Sequence, residues 1–243
     1  MKKIILFLNI FICINLQAND SLFTIANEDY SNQSYLLAID KYQSILSSGI
    51  ESSELYYNLG NSYYRINEIH QAIYFYEKSL KLNSNFTEAK ENLELCNQLL
   101  IDKIEKMPEI FYKIYYENLK NFLSIKWWKI TSLIFIWIYF LFFMIKILFK
   151  KRFNFSQNIF LLLSFLCFLI FQDINNESLE KKEAIIYSQV IDIMSAPSNK
   201  ANKLFTLHIG SKVTINDQIE NWVNISLANG NKGWVALKHL KEI

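Results

Sequence analysis

The chain has 243 residues, of which 51% are hydrophobic and 16% aromatic, with 5 Gly and 2 Pro. This is too apolar for a disordered chain, and so little Gly and Pro favours helices over a turn-rich fold. A net charge of +2 does not suggest a nucleic-acid partner, and 3 Cys with 3 His make neither a zinc ribbon nor a disulfide framework.

Residues 1–18 read as a signal peptide. Lys2 and Lys3 precede the apolar run Ile4 to Leu16, and Leu16-Gln17-Ala18 offers a small-residue cleavage site. An uncleaved anchor is the alternative.

Residues 19–106 read as an all-α repeat domain. Shifting the chain by 34 residues superposes 19–52 on 53–86 without a gap. Leu22 falls on Tyr56, Ala26 on Gly60, Asn27 on Asn61, Ala38 on Ala72 and Tyr42 on Tyr76. That period, with small residues where two helices approach and large ones between, resembles the tetratricopeptide repeat. Residues 87–106 read as a capping helix. The resemblance implies a concave groove lined by first helices. Here Asn27, Tyr57, Asn58, Asn61, Tyr64 and Arg65 would line it and take a peptide or partner helix. Some family members clamp a terminal carboxylate with Lys and Asn. Asn27 and Asn58 match that pattern, whereas Phe23, Glu88 and Asn92 stand where cations belong. Residues 19–125 carry 9 Lys/Arg against 15 Asp/Glu, which disfavours a phosphate-binding groove.

Residues 107–126 read as an amphipathic juxtamembrane helix, with Phe111, Tyr115, Leu119 and Phe122 on one stripe. It would lie near the membrane surface or pack on the repeats. Residues 127–149 and 153–171 each have the length and apolarity to cross a bilayer. Trp127 and Trp128 fit an aromatic belt. Between the spans, Lys150, Lys151 and Arg152 form a tight basic turn, which the positive-inside rule places in the cytoplasm. Both flanking segments are then expected outside it, in agreement with the signal peptide. The expected location is the inner (cytoplasmic) membrane, in contact with its lipid, with both ends of the mature chain periplasmic. Cys96 is then the only thiol on that side.

Residues 172–182 read as a polar linker. The segment 183–243 changes texture, with five short strands expected, separated by Ser195-Ala196-Pro197, Ile209-Gly210-Ser211 and the hairpin signal Asn229-Gly230. The pieces Leu207-x-x-Gly210-x-x-Val213 and Gly230-x-x-Gly233-Trp234-Val235, with Trp222, resemble the bacterial SH3 (SH3b) family. That implies a small all-β SH3-like barrel, whose relatives often bind cell-wall peptides or proteins. Trp222 and Trp234 are the candidate contacts, with core packing as the alternative for each.

No nucleophile–base motif, phosphate loop or convergent metal-ligand set is present, so neither catalysis nor a cofactor is expected. The order of signal, repeats, two spans and β module resembles the BatE-type family of the Bacteroides aerotolerance (Bat) operon. Glu54–Asn61, Asn92–Leu95, Ile104–Glu109 and Leu204–Gly210 carry the likeness. It implies a multidomain membrane adaptor, with von Willebrand A-domain membrane proteins as partners and a link to envelope stress tolerance. A peptidoglycan sensor or tether acting through the β module is the alternative.

Overall fold

The structure, a computed structural model, describes residues 21–105, 107–108, 110–149, 154–180 and 182–243. The expected signal peptide at 1–18 and the basic turn at 150–152 lie outside the described residues. The chain forms two compact units. One joins Met1–Glu105 with Glu183–Ile243, and the other is Lys106–Lys182.

In the first unit, helix α1 covers 21–31 of the described residues. It is followed by α2 (Tyr35–Ser47), α3 (Ser53–Arg65), α4 (Ile69–Leu82) and α5 (Thr87–Leu99). Ser52 caps α3 by accepting the Leu55 N–H at 3.0 Å. Ala26, Ala38 and Ala72 are fully buried where helices meet. A Cβ on Gly60 would stand 2.7 Å from the Tyr76 ring, so only glycine lets α3 approach α4 this closely. The helices follow the 34-residue period, with α5 as a single terminal helix.

Residues 182–243 form strands β1 (Lys182–Ile186), β2 (Val190–Met194), β3 (Lys203–His208), β4 (Lys212–Ile219), β5 (Trp222–Ser226), β6 (Lys232–Ala236) and β7 (Leu240–Glu242). They make one antiparallel sheet in the order β3-β2-β6-β5-β4-β1-β7. Seven strands stand where five were expected. The run Ala184 to Met194 is broken in two at Tyr187-Ser188-Gln189, and the short helical turn Leu237–His239 leads into β7. At the β5–β6 hairpin the Gly230 N–H donates to Leu227 O at 2.9 Å, and Gly230 takes φ +85°.

Strands β2, β5 and β6 alternate, burying Ile191, Ile193, Val223, Ile225 and Val235 against one another. β1 does not alternate: Ala184, Ile185 and Ile186 are all buried. Ala184 and Ile186 join the core of the sheet, whereas Ile185 joins the core of the helices, together with Ile243. A strand covered on both faces reads as a continuous apolar run.

The sheet therefore packs on the helical repeat, on the side of the second helices. Tyr187 OH donates to Gln71 Oε1 at 2.9 Å, Lys81 Nζ to Ile243 O at 2.6 Å, and Lys212 Nζ lies 2.7 Å from both Glu77 and Glu183. Lys241 Nζ sits 4.0 Å from the centre of the Tyr74 ring and 4.9 Å from that of Tyr187. Asp102, beyond α5, accepts from the His208 N–H (2.7 Å) and Ser211 Oγ (2.6 Å). Gly210, at φ +92° in the turn between β3 and β4, packs closely on the helices: a Cβ there would lie 2.5 Å from Leu100 Cδ2.

The second unit holds α6 (Phe111–Phe122), α7 (Ile125–Phe149) and α8 (Asn154–Glu180). α7 and the Asn158–Glu177 part of α8 are long and apolar enough to cross a membrane, with mean hydropathies of 2.4 and 1.7. They pair through a reciprocal contact. Ser132 Oγ donates to Ser164 O at 3.0 Å, and Ser164 Oγ returns the bond to Ser132 O at 2.9 Å. Two small residues bring the backbones together there. The polar stretch that reads as a linker is helical as far as Glu180. It contains no Gly or Pro, and its polarity marks solvent exposure rather than loss of helix. Trp127 is exposed, as a belt residue would be. Trp128 is buried instead, its Nε1 donating to Lys120 O at 3.0 Å.

Candidate functional site

The first helices of the repeat present one lined surface. A hollow of about 220 Å³ is bounded by Asn27, Tyr30, Ser31, Tyr42, Asn58 and Asn61. A neighbouring one of about 310 Å³ is bounded by Tyr57, Asn61, Tyr64, Arg65, Tyr76, Asn92 and Leu95, again with Tyr30. Tyr30 and Asn61 belong to both. The structure thus brings together all six residues proposed from sequence for the groove. None of the lining residues comes from the sheet, which sits on the other side of the helices.

The floor of this surface is a hydrogen-bonded ladder that repeats with the period of the sequence. Tyr42 OH donates to Asn27 Oδ1 at 2.6 Å, and Tyr76 OH donates to Asn61 Oδ1 at 2.7 Å. Asn58 Nδ2 also donates to Asn27 Oδ1 (3.0 Å), as Asn92 Nδ2 does to Asn61 Oδ1 (2.8 Å). Each of the two amide oxygens accepts two bonds, which fills both its lone pairs. Among the described residues, nothing accepts from the Nδ2 groups of Asn27 and Asn61. The hydrogen-bonding capacity left over at these two amides is therefore donor in character.

Burial holds the tyrosines of the ladder neutral. It pushes the Tyr42 hydroxyl up to about 12 and raises Tyr76 as well. Arg65 stands exposed at the rim, its Nε donating to Tyr30 OH at 3.3 Å. Tyr57 packs on Phe86 with ring centres 4.8 Å apart. Asn58 and Asn61 are thus part of the framework as well as part of the lining.

Tyr30, Ser31, Tyr42, Tyr76, Asn92 and Leu95 complete the surface without having been assigned to its lining from sequence. The period itself carried part of that signal, since Tyr30 falls on Tyr64 and Asn58 on Asn92 at the same offset.

On the sheet, Val223, Ile225 and Val235 face the core, so the alternating residues Trp222, Asn224 and Trp234 face the other way. Trp234 lies opposite Asn224 and Met194, and Trp222 opposite Ala236. Both tryptophans are half-buried on the outer face, and neither fills the core.

Two groups in the first unit combine hydroxyl and imidazole. Ser211 and His208 both bond to Asp102, so the hydroxyl faces the carboxylate rather than the imidazole. Ser188 Oγ is 2.6 Å from His239 Nδ1, and burial lowers the pKa of that imidazole. No carboxylate bonds to His239 among the described residues, so neither group is a serine–histidine–carboxylate relay. Among the described residues no cluster of three or more His, Cys, Asp or Glu is placed to hold a metal. The candidate topology residues Lys150, Lys151 and Arg152 lie outside the described residues.

A family model for the tetratricopeptide repeat matches residues 53–86, which span α3, α4 and the turn that follows. No curated protein matches the chain. The chain thus carries a tetratricopeptide repeat, a module of protein–protein interaction that is typically non-catalytic, together with two membrane-capable helices and an antiparallel sheet.

Proposed function

We propose that the protein is a non-enzymatic, membrane-anchored adaptor whose repeat groove takes a segment of a partner protein. The observation that carries this reading is the donor-lined floor. Asn27 and Asn61 offer amide N–H groups at successive repeats, and Arg65 adds a cation at the rim. A segment offering main-chain carbonyls and a carboxylate suits that surface. The two-span arrangement supports the reading. The first unit is assembled from chain on both sides of the hairpin, and a compact unit cannot be divided by a bilayer. An even number of crossings satisfies this, with the basic turn cytoplasmic and both modules periplasmic at the inner membrane. The order of modules favours von Willebrand A-domain membrane proteins of a Bat-type complex as partners.

The test is co-purification from membranes with the full chain, since truncation after α5 would uncover the side of α4 that the sheet covers. Arg65→Glu together with Asn61→Ala is expected to abolish capture of a von Willebrand A-domain partner, while Trp234→Ala leaves it intact. Capture unchanged in the groove variant sinks the reading.

The outward-facing Trp222 and Trp234 favour a second reading, in which an SH3-like module grips peptidoglycan stem peptides. In that case the full chain sediments with purified peptidoglycan and Trp234→Ala does not.

A further inference from the structure

Helix α6 carries a broad apolar face left uncovered within its own unit. Phe111, Tyr115 and Phe122 are 72%, 73% and 77% exposed, and Tyr112 and Leu119 flank them. The opposite face is fixed. Tyr116 OH donates to Asp173 at 3.0 Å, and Lys120 Nζ reaches Glu177 at 2.6 Å and Glu117 at 2.9 Å. Lys120 is buried by these partners, which outweigh its desolvation and raise its pKa. The rotation of α6 about its axis is therefore set, and with it the direction of the aromatic face.

Three observations say what covers that face. Only Leu123 and Ser124 separate α6 from α7, so its end stands where the first span begins. The two ties to α8 advance in step, from Tyr116–Asp173 to Lys120–Glu177, so α6 runs alongside α8 in the same sense. The residues before Tyr116 are then set beside the apolar part of α8 that precedes Asp173, where Phe168 and Leu169 are themselves exposed. The aromatic face is thus continuous with the lipid-facing surface of the spans. Aromatic residues with polar tips, such as Tyr112 and Tyr115, suit the headgroup boundary.

We propose that α6 enters the membrane beside α8. Its Phe111–Tyr115 end lies in the lipid at the side of the bilayer where α7 begins, and the Lys120 cluster holds it in that rotation.

The test is site-directed spin labelling of the full chain in phosphatidylethanolamine–phosphatidylglycerol vesicles, with the native cysteines replaced by alanine. Nitroxides at Phe111→Cys and Tyr115→Cys are compared with Glu94→Cys as a water reference and Ile134→Cys as a lipid reference. The ratio of oxygen to nickel-chelate accessibility at the two α6 sites is expected to be several-fold above that at Glu94. A ratio equal to that at Glu94 overturns the proposal. So does exclusion of both reagents, which would mean that protein covers the face.

Discussion

Asp102 holds His208 twice: its Oδ2 takes the His208 backbone N–H at 2.7 Å, and its Oδ1 faces His208 Nδ1 at 2.8 Å. Both candidate spans lie between the two residues in the chain. Burial alone would raise the Asp102 pKa, but hydrogen bonds from Ser211 and His208 outweigh it and hold the carboxyl below its ordinary range. A carboxyl with a depressed folded-state pKa stabilises the fold above its unfolded value, ordinarily about 3.9, and loses that contribution as the pH falls through the lower folded value. Asp102→Asn is expected to cost roughly 2–3 kcal/mol at pH 7, because an amide meets the three donors poorly. The gap between variant and parent should narrow below about pH 4 in thermal unfolding of the full chain. A gap that does not change with pH would show that the carboxylate charge is not what joins the two segments.

Gly210 and Gly49 both take a left-handed φ, +92° and +85°, but in different surroundings. A Cβ at Gly49 meets nothing within 4 Å, whereas one at Gly210 meets Leu100 at 2.5 Å. Gly49→Ala should cost about 1 kcal/mol from backbone strain alone. Gly210→Ala should add roughly 1–3 kcal/mol of overpacking. Equal losses in chemical denaturation would mean that the contact at Leu100 is not tight.

Two lysines of the β module meet the helices with opposite consequences. Burial disfavours the Lys212 ammonium, but Glu77 and Glu183 outweigh that and raise its pKa. Lys212→Met removes the cation that bridges the two carboxylates. At a side chain 35% exposed the expected loss is about 1–2 kcal/mol. Lys241 is lowered, first by burial and then by Lys78, while the ring faces of Tyr74, Phe75 and Tyr187 favour its charge. Its folded state binds the proton less well than the unfolded chain, so its contribution grows as the pH rises toward the ordinary lysine value. Lys241→Met should be neutral or stabilising at pH 7, a contrast that melting temperatures of the two variants check directly.

The helices of the repeat were legible because a 34-residue self-match constrains every residue of a unit at once. Which residues of the first helices line the two hollows was legible in the same way, although Tyr42 and Tyr76 beneath them read only as filler. The contact between repeat and sheet was not legible. Asp102 and His208 are 106 residues apart, and nothing local distinguishes a carboxylate that bonds across such a distance from a solvated one. One local sign did exist. Ala184-Ile185-Ile186 lacks the alternation of a half-exposed strand, which a second covering layer explains. The extra strand β7 was missed because Leu240–Glu242 is too short to show a period.

The tyrosine–asparagine ladder predicts paired effects. Tyr42→Phe and Tyr76→Phe each remove one of the two donors to an amide oxygen, Asn27 or Asn61 respectively. Each is expected to cost about 1 kcal/mol, and the double variant about the sum. Partner capture should weaken along with stability, because the same amides form the groove floor. A destabilised double variant that binds normally would separate the ladder from recognition.

The reciprocal serine contact sets the register of α7 against α8. With Ser132 and Ser164 hydroxyls 3.4 Å apart, Ser132→Cys with Ser164→Cys should form a disulfide under mild oxidation in membranes. A protease site between the spans makes this readable, since the fragments stay joined until reductant is added. Fragments that separate without reductant would reject this register.

The unit that joins Met1–Glu105 to Glu183–Ile243 also imposes an order on synthesis. The helices leave the ribosome first, but Ile185, Ile243 and Tyr187 arrive only after both spans have been made. Until then the side of α4 carrying Tyr74 and Glu77 waits in water without its cover. The repeat domain therefore completes its core only when the segment that follows both candidate spans has been made.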